Sequence, residues 1–158
     1  MGLSRDPATR SRAAQYLCKL LRQSRPAVDA IVLKHLGHDE LAGDLSSAAV
    51  LTALSERTDS LELEHAHDLA EWLTRLVQSS PELVLNVVST LLERAVAAGE
   101  PHRRLGSASV HLVNIAVTLQ RMSAFREQGL SLFERLLALD LYGARSTLDE
   151  IDFARREH

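Results

Sequence analysis

Residues 81–98, PELVLNVVSTLLERAVAA, carry more apolar surface than a helix bathed on one side by water can use. Wound at about 100° per residue, Leu83, Val84, Leu85, Val87, Val88, Leu91, Leu92, Ala95 and Val96 cover an arc of roughly 220°. Asn86, Ser89, Thr90, Glu93 and Arg94 are left a narrower strip. A helix at the edge of a domain needs an apolar arc of only about 100°. The surplus has to be covered by neighbours on at least two sides. The sequence therefore predicts an interior helix of a multi-helix stack.

Such a stack must be built from aliphatic side chains. Hydrophobic residues make up 46% of the chain and aromatic ones only 4%, so the core has to come from Leu, Ala and Val. Leu and Ala are strong helix formers, and few residues here favour strands. With 158 residues the chain is expected to be one helical domain, able to bury a core without metal or disulfide.

The four prolines mark where helices begin, because proline suits the first turn, where its missing N–H had no partner. Pro7 opens a helix at about 7–23 and Pro26 one at about 26–36, ended by Gly37. Residues 38–43 read as a polar connector, and 44–57 as a helix carrying Leu45, Ala48, Ala49, Leu51, Ala53 and Leu54. Asp59 or Ser60 caps a helix near 61–78, whose Leu69, Trp72, Leu73, Leu76 and Val77 share a face. Pro81 opens the interior helix and Pro101 the next segment, with residues 102–107 ambiguous around Gly106. Helices at 107–121 and about 125–140 follow, then a turn at 141–143 and a last helix at about 146–156. The expectation is all-α: about eight antiparallel helices joined by short connections.

Grouped as 7–36, 44–78, 81–122 and 125–156, the helices form pairs that start about 37 to 44 residues apart. This spacing resembles the HEAT/armadillo class of helical repeats, whose units run about 40–47 residues. That resemblance implies an α-solenoid scaffold, while an irregular bundle has the same helix signature. The terminal stretch LFERLLALDLYGARSTLDEID, with Leu148 and Ile151 on the last helix, reads as a closing cap for a stack. In outline it also looks like the helical C-terminal region of large bacterial multidomain proteins.

Charge is unevenly spread over a net −3. Residues 1–36 hold seven Lys/Arg against two Asp, and residues 37–71 hold nine acids against Arg57 alone. A basic front and an acidic block imply attraction within the chain or head-to-tail contact between copies, and hence a possible homo-oligomer. The overall balance argues against nucleic-acid binding as the main role. The single cysteine, Cys18, cannot close an internal disulfide, which with the lack of an apolar leader suggests a reducing, cytoplasmic setting. No run of 18 or more apolar residues predicts a membrane span.

Chemistry-bearing motifs are few. Glu64-x-x-His67 has the i, i+3 spacing that puts a carboxylate and an imidazole on one helix face, as in di-iron bundles. A helical wheel, however, sets Glu64, His67, Asp68, Glu71 and Arg75 opposite Leu69, Leu73 and Val77, facing solvent. His65 and His67, at i, i+2, point apart. The expectation is a solvated acidic face with no metal and no cofactor. His35 and His38 flank Gly37, where the helix dipole favours histidine. No nucleophile elbow, phosphate-cradling loop or zinc-protease motif occurs, so no enzyme is expected.

Two polar stripes remain. His111, Asn114, Thr118 and Arg121 cluster within about 80° on an otherwise apolar helix and suit a groove that receives a peptide or partner helix. Arg12, Gln15, Lys19 and Arg22 form a basic stripe opposite Leu17, Leu20 and Leu21. It suits the acidic 62–71 face, a partner's carboxylates, or phosphate. The leading expectation is a non-enzymatic scaffold or adaptor that binds another protein. Two others stay open: an enzyme or small-ligand sensor with His111 and Arg121 at a pocket rim, and a nucleic-acid module using the first helix.

Overall fold

In a computed structural model, residues 45–56 and 63–147 are described, together with Ala8, Arg12, Gln15, Tyr16, Cys18, Lys19 and Arg22, all seven helical. The expected helix at 26–36 with His35 and His38, the connector at 38–43, the caps at Asp59 or Ser60, and the last helix beyond residue 147 lie outside these residues.

Helices are the regular structure of the described residues, with no strand among them. We label the helices α1 (Leu45–Ser55), α2 (Ala66–Leu76), α3 (Pro81–Ala97), α4 (Pro101–Leu105), α5 (Ala108–Arg121) and α6 (Arg126–Ala138). Short 3-10 turns, Leu63–His65 and Ser123–Phe125, lead into α2 and α6. The segment expected to be one helix from about 61 thus starts its α-helical course only at Ala66. Pro81 and Pro101 each occupy the first turn of their helix, as the sequence predicts. Glu100, in the left-handed region at φ 52°, turns the chain between α3 and α4. Its carbonyl accepts hydrogen bonds from the Arg103 and Arg104 N–H groups at 3.0 Å.

The core is aliphatic, as composition requires. On α3, Val84, Val87, Val88, Leu91, Leu92 and Ala95 are buried, with Leu83 and Leu85 packed at the margin. α3 touches α1, α2 and α4, which accounts for the width of its apolar arc. Val96, at the end of that arc, is 49% exposed; it lies in the last turn, just ahead of the exposed 97–100 corner. On α1, Val50, Leu51, Ala53 and Leu54 are each no more than 1% exposed.

α5 packs between two other helices. It buries Ala108, Ser109, Leu112, Val113, Ile115, Ala116 and Leu119, between α2 on one side and α6 on the other. Trp72 of α2 is fully buried and is the largest side chain in the core.

Contact between α5 and α6 is closest at Gly129. A Cβ there would stand 2.5 Å from the Gln120 backbone nitrogen, 2.8 Å from the Leu119 Cβ and 2.9 Å from the Ala116 carbonyl oxygen. No side chain fits, so the glycine sets the separation of the two helices. In an open helix, Gly→Ala gains about 1 kcal/mol. Here the gain is outweighed by overpacking, which costs about 1–3 kcal/mol or more in a tight core. Gly129→Ala should therefore destabilise the fold by about 1–3 kcal/mol, read as a lower urea midpoint; an increase in stability would mean the helices are free to separate.

Ser109 is fully buried on α5 and its hydroxyl has no hydrogen-bond partner among the described residues. Burial of such a group costs about 1–3 kcal/mol. Ser109→Ala, which keeps the helix and removes the hydroxyl, should raise stability by about 1 kcal/mol in the same titration.

Candidate functional site

Two places gather polar side chains from different helices. The first is the edge where α2 meets α5. His67 opens α2 and His111 is in the first half of α5. Their rings meet edge to face, with centroids 5.0 Å apart at 60°. Ser107, just before α5, brings its hydroxyl to 3.0 Å from His67 Nδ1. One turn after His67, the Glu71 carboxylate holds the Arg75 guanidinium at 3.1 Å. Burial holds the His111 pKa below the ordinary histidine range, and the nearby His67 pushes it the same way, while Glu71 opposes both.

The face that the wheel gives wholly to solvent is thus shared. Glu64, His67 and Arg75 are exposed, but Asp68 and Glu71 are half-covered and His67 has α5 beside it. Nothing in the local pattern of residues 64–75 announces this, because His111 is far along the chain. The signal available was that α5 is apolar nearly all round, so that any polar residue in its first turns falls at the border of another helix.

The second place is an open trough of about 370 Å³ between α3 and α6. Leu85 and Leu132 supply apolar lining; Ser89, Glu127, Gln128, Ser131 and Arg135 supply the polar part. Glu127, Ser131 and Arg135 follow at i, i+4 and i+8, so they form one row along α6. An acid stands at the start of the helix and a base in its last turn, each favoured there by the helix dipole. Neither charge is in an ion pair among the described residues. The i, i+4, i+8 row could be read in the sequence, but Leu85 and Ser89 opposite it could not.

The stripe expected on α5 is divided. His111 is half-buried against His67. Asn114 is exposed, and Thr118 donates its hydroxyl to the Asn114 backbone carbonyl at 2.8 Å. Arg121 is exposed in the last turn of α5. His111 and Arg121 are ten residues apart, about 15 Å along the helix. Neither lines the trough.

Arg12, Gln15, Lys19 and Arg22 are all exposed, as a basic stripe requires. Arg22 Nε lies 3.8 Å from the Glu56 carboxylate beyond the end of α1, so the basic front meets an acid of its own chain; among the described residues no ion pair joins it to the 62–71 face. Both side chains are more than half exposed, where an ion pair adds little stability. Cys18 is half-buried at the edge of the core, and its thiol pKa is raised, mainly by burial.

No helix among the described residues is long and apolar enough to cross a membrane. No family model, no curated protein and no solved structure matches the chain.

A raised thiol pKa means less thiolate at any given pH, and the thiolate is the nucleophile. At pH 8, Cys18 should react with a disulfide reagent more slowly in the folded protein than in the urea-unfolded chain; equal rates would place the thiol in open solvent.

Proposed function

We propose that this protein is a non-enzymatic adaptor whose helical stack docks a helix of another protein in the trough between α3 and α6. The observation that carries this reading is the row Glu127, Ser131 and Arg135 beside the leucines 85 and 132. An open trough with an apolar floor and charges of both signs, unpaired among the described residues, suits a peptide better than an enclosed metabolite. Eight residues separate the two charges, about 12 Å along the helix. The occupant is an amphipathic helix with a basic and an acidic side chain about two turns apart and an apolar anchor between them.

The stack itself is read as a short α-solenoid. α1 lies against α3, α2 lies against α5, and α3 borders α6 across the trough. With the five-residue α4 passed over, each of these neighbours is two helices on, which is what layered helical repeats produce. The single cysteine suits a reducing compartment for this adaptor.

The test is charge reversal with a photocrosslinking residue at Ser131, in the cells the chain comes from. One discrete partner should be captured from Ser131, and not from the same probe at exposed Ala97. The double change Glu127→Lys and Arg135→Glu alters exposed side chains only and should cut capture about tenfold, the loss of about 1.4 kcal/mol. A synthetic peptide of the captured segment should bind the purified protein. Equal capture from Ser131 and Ala97, or capture that ignores charge reversal, would remove the trough as the docking site.

A further inference from the structure

We propose that His67, Glu71 and Asp68 of α2 and His111 of α5 form a binding site for a divalent transition-metal ion of the Zn²⁺ type. The site is separate from the trough and does not depend on the adaptor reading. His67, Asp68 and Glu71 can each offer one donor atom such that all three lie within 4.8 Å of one another. His67 and Glu71 are one helical turn apart, at i and i+4, and so share a face.

His111 brings the second imidazole from the facing helix, its ring 5.0 Å from that of His67. With metal–nitrogen bonds of about 2.1 Å, two imidazoles on one four-coordinate ion hold their ring centroids about 5 Å apart. The observed separation lets the two rings reach one ion, and it is also that of an ordinary edge-to-face pair. Ser107 Oγ lies 3.0 Å from His67 Nδ1; in the tautomer that carries the proton on Nδ1, the hydroxyl accepts that N–H and Nε2 is left to bind the ion. Ligating histidines are characteristically oriented this way, by an acceptor on the other ring nitrogen. Arg75 engages Oε1 of Glu71 and leaves Oε2 unoccupied by that contact.

The donor set decides the metal. Two imidazoles with carboxylate oxygens suit Zn²⁺, Co²⁺, Ni²⁺ or Cu²⁺, whereas Mg²⁺ and Ca²⁺ want oxygen alone. His67 is exposed while Asp68 and Glu71 are half-covered, so the ion enters from solvent and joins α2 to α5.

The test uses the untagged full chain after treatment with a chelator, titrated with Co²⁺ and followed by its visible absorption. One Co²⁺ per chain should saturate, and one equivalent of Zn²⁺ should displace it. His67→Gln and His111→Phe should each weaken binding more than about 100-fold, and Ser107→Ala about tenfold. His111→Phe keeps a ring beside His67 and removes the donor; circular dichroism checks its fold. Should that variant unfold, His67→Gln carries the test alone, since its side chain is exposed. His102→Gln, on exposed α4, should change nothing. No saturable absorption at millimolar Co²⁺, or binding that survives His67→Gln, would overturn the site and leave only adventitious binding at other histidines.

Discussion

The backbone-to-backbone approach of α6 onto α5 at Gly129 fixes the position of much else. With so few aromatic rings in the chain, large interlocking side chains are scarce. Shape specificity has to come from small residues that let helices close up. Ala116 and Gly129 supply that at the α5–α6 contact, and the hydrophobic burial of Leu112, Leu119, Leu132 and Leu136 follows from it. Dispersion contacts fall off steeply with distance, so a helix held away by one methyl group would loosen every neighbouring contact.

Much of this fold was legible before any coordinates. Helix starts at Pro81 and Pro101 follow from the chemistry of one residue type, and α3's wide apolar arc correctly implies several neighbours. Gly129 was not legible: within a helical pattern a glycine reads as a weak point, and only the backbone of another helix 2.5 Å from its missing Cβ gives it a role. Val96 erred the other way. It continues the arc of α3 by angle, but at its margin, between half-buried Leu85 and Ser89, and it is exposed. Periodicity predicts which side of a helix is apolar, but not how much of that arc its neighbours cover.

The polar sites divide along the same line. A row on one helix, such as Glu127, Ser131 and Arg135, is a local pattern fixed by helix geometry. What turns it into a trough is Leu85 and Ser89 on α3, and that is a tertiary fact. His67 shows the limit most clearly. Its own helix assigns it to water, and it is indeed exposed; the meeting with His111 depends on how α2 and α5 are rotated against each other. Arg22 likewise finds Glu56 instead of the 62–71 carboxylates, a choice among acids that charge counting cannot make.

That rotation is set by the core itself. On α2, Trp72 is wholly buried immediately after Glu71, and on α5, Leu112 is wholly buried immediately after His111. Successive helical residues point about 100° apart. Sinking Trp72 and Leu112 into the interior therefore turns Glu71 and His111 to the border of their helices. The buried indole N–H of Trp72 has no partner among the described residues, a cost that a phenylalanine would avoid, though with a smaller ring to fill the site. A large, unambiguous anchor fixes the azimuth of α2 more firmly than a set of interchangeable leucines could. The polar groups at the α2–α5 edge thus inherit positions that apolar packing has already ordered. A ligand that used them would lose less side-chain entropy than one that had to gather them from free rotation.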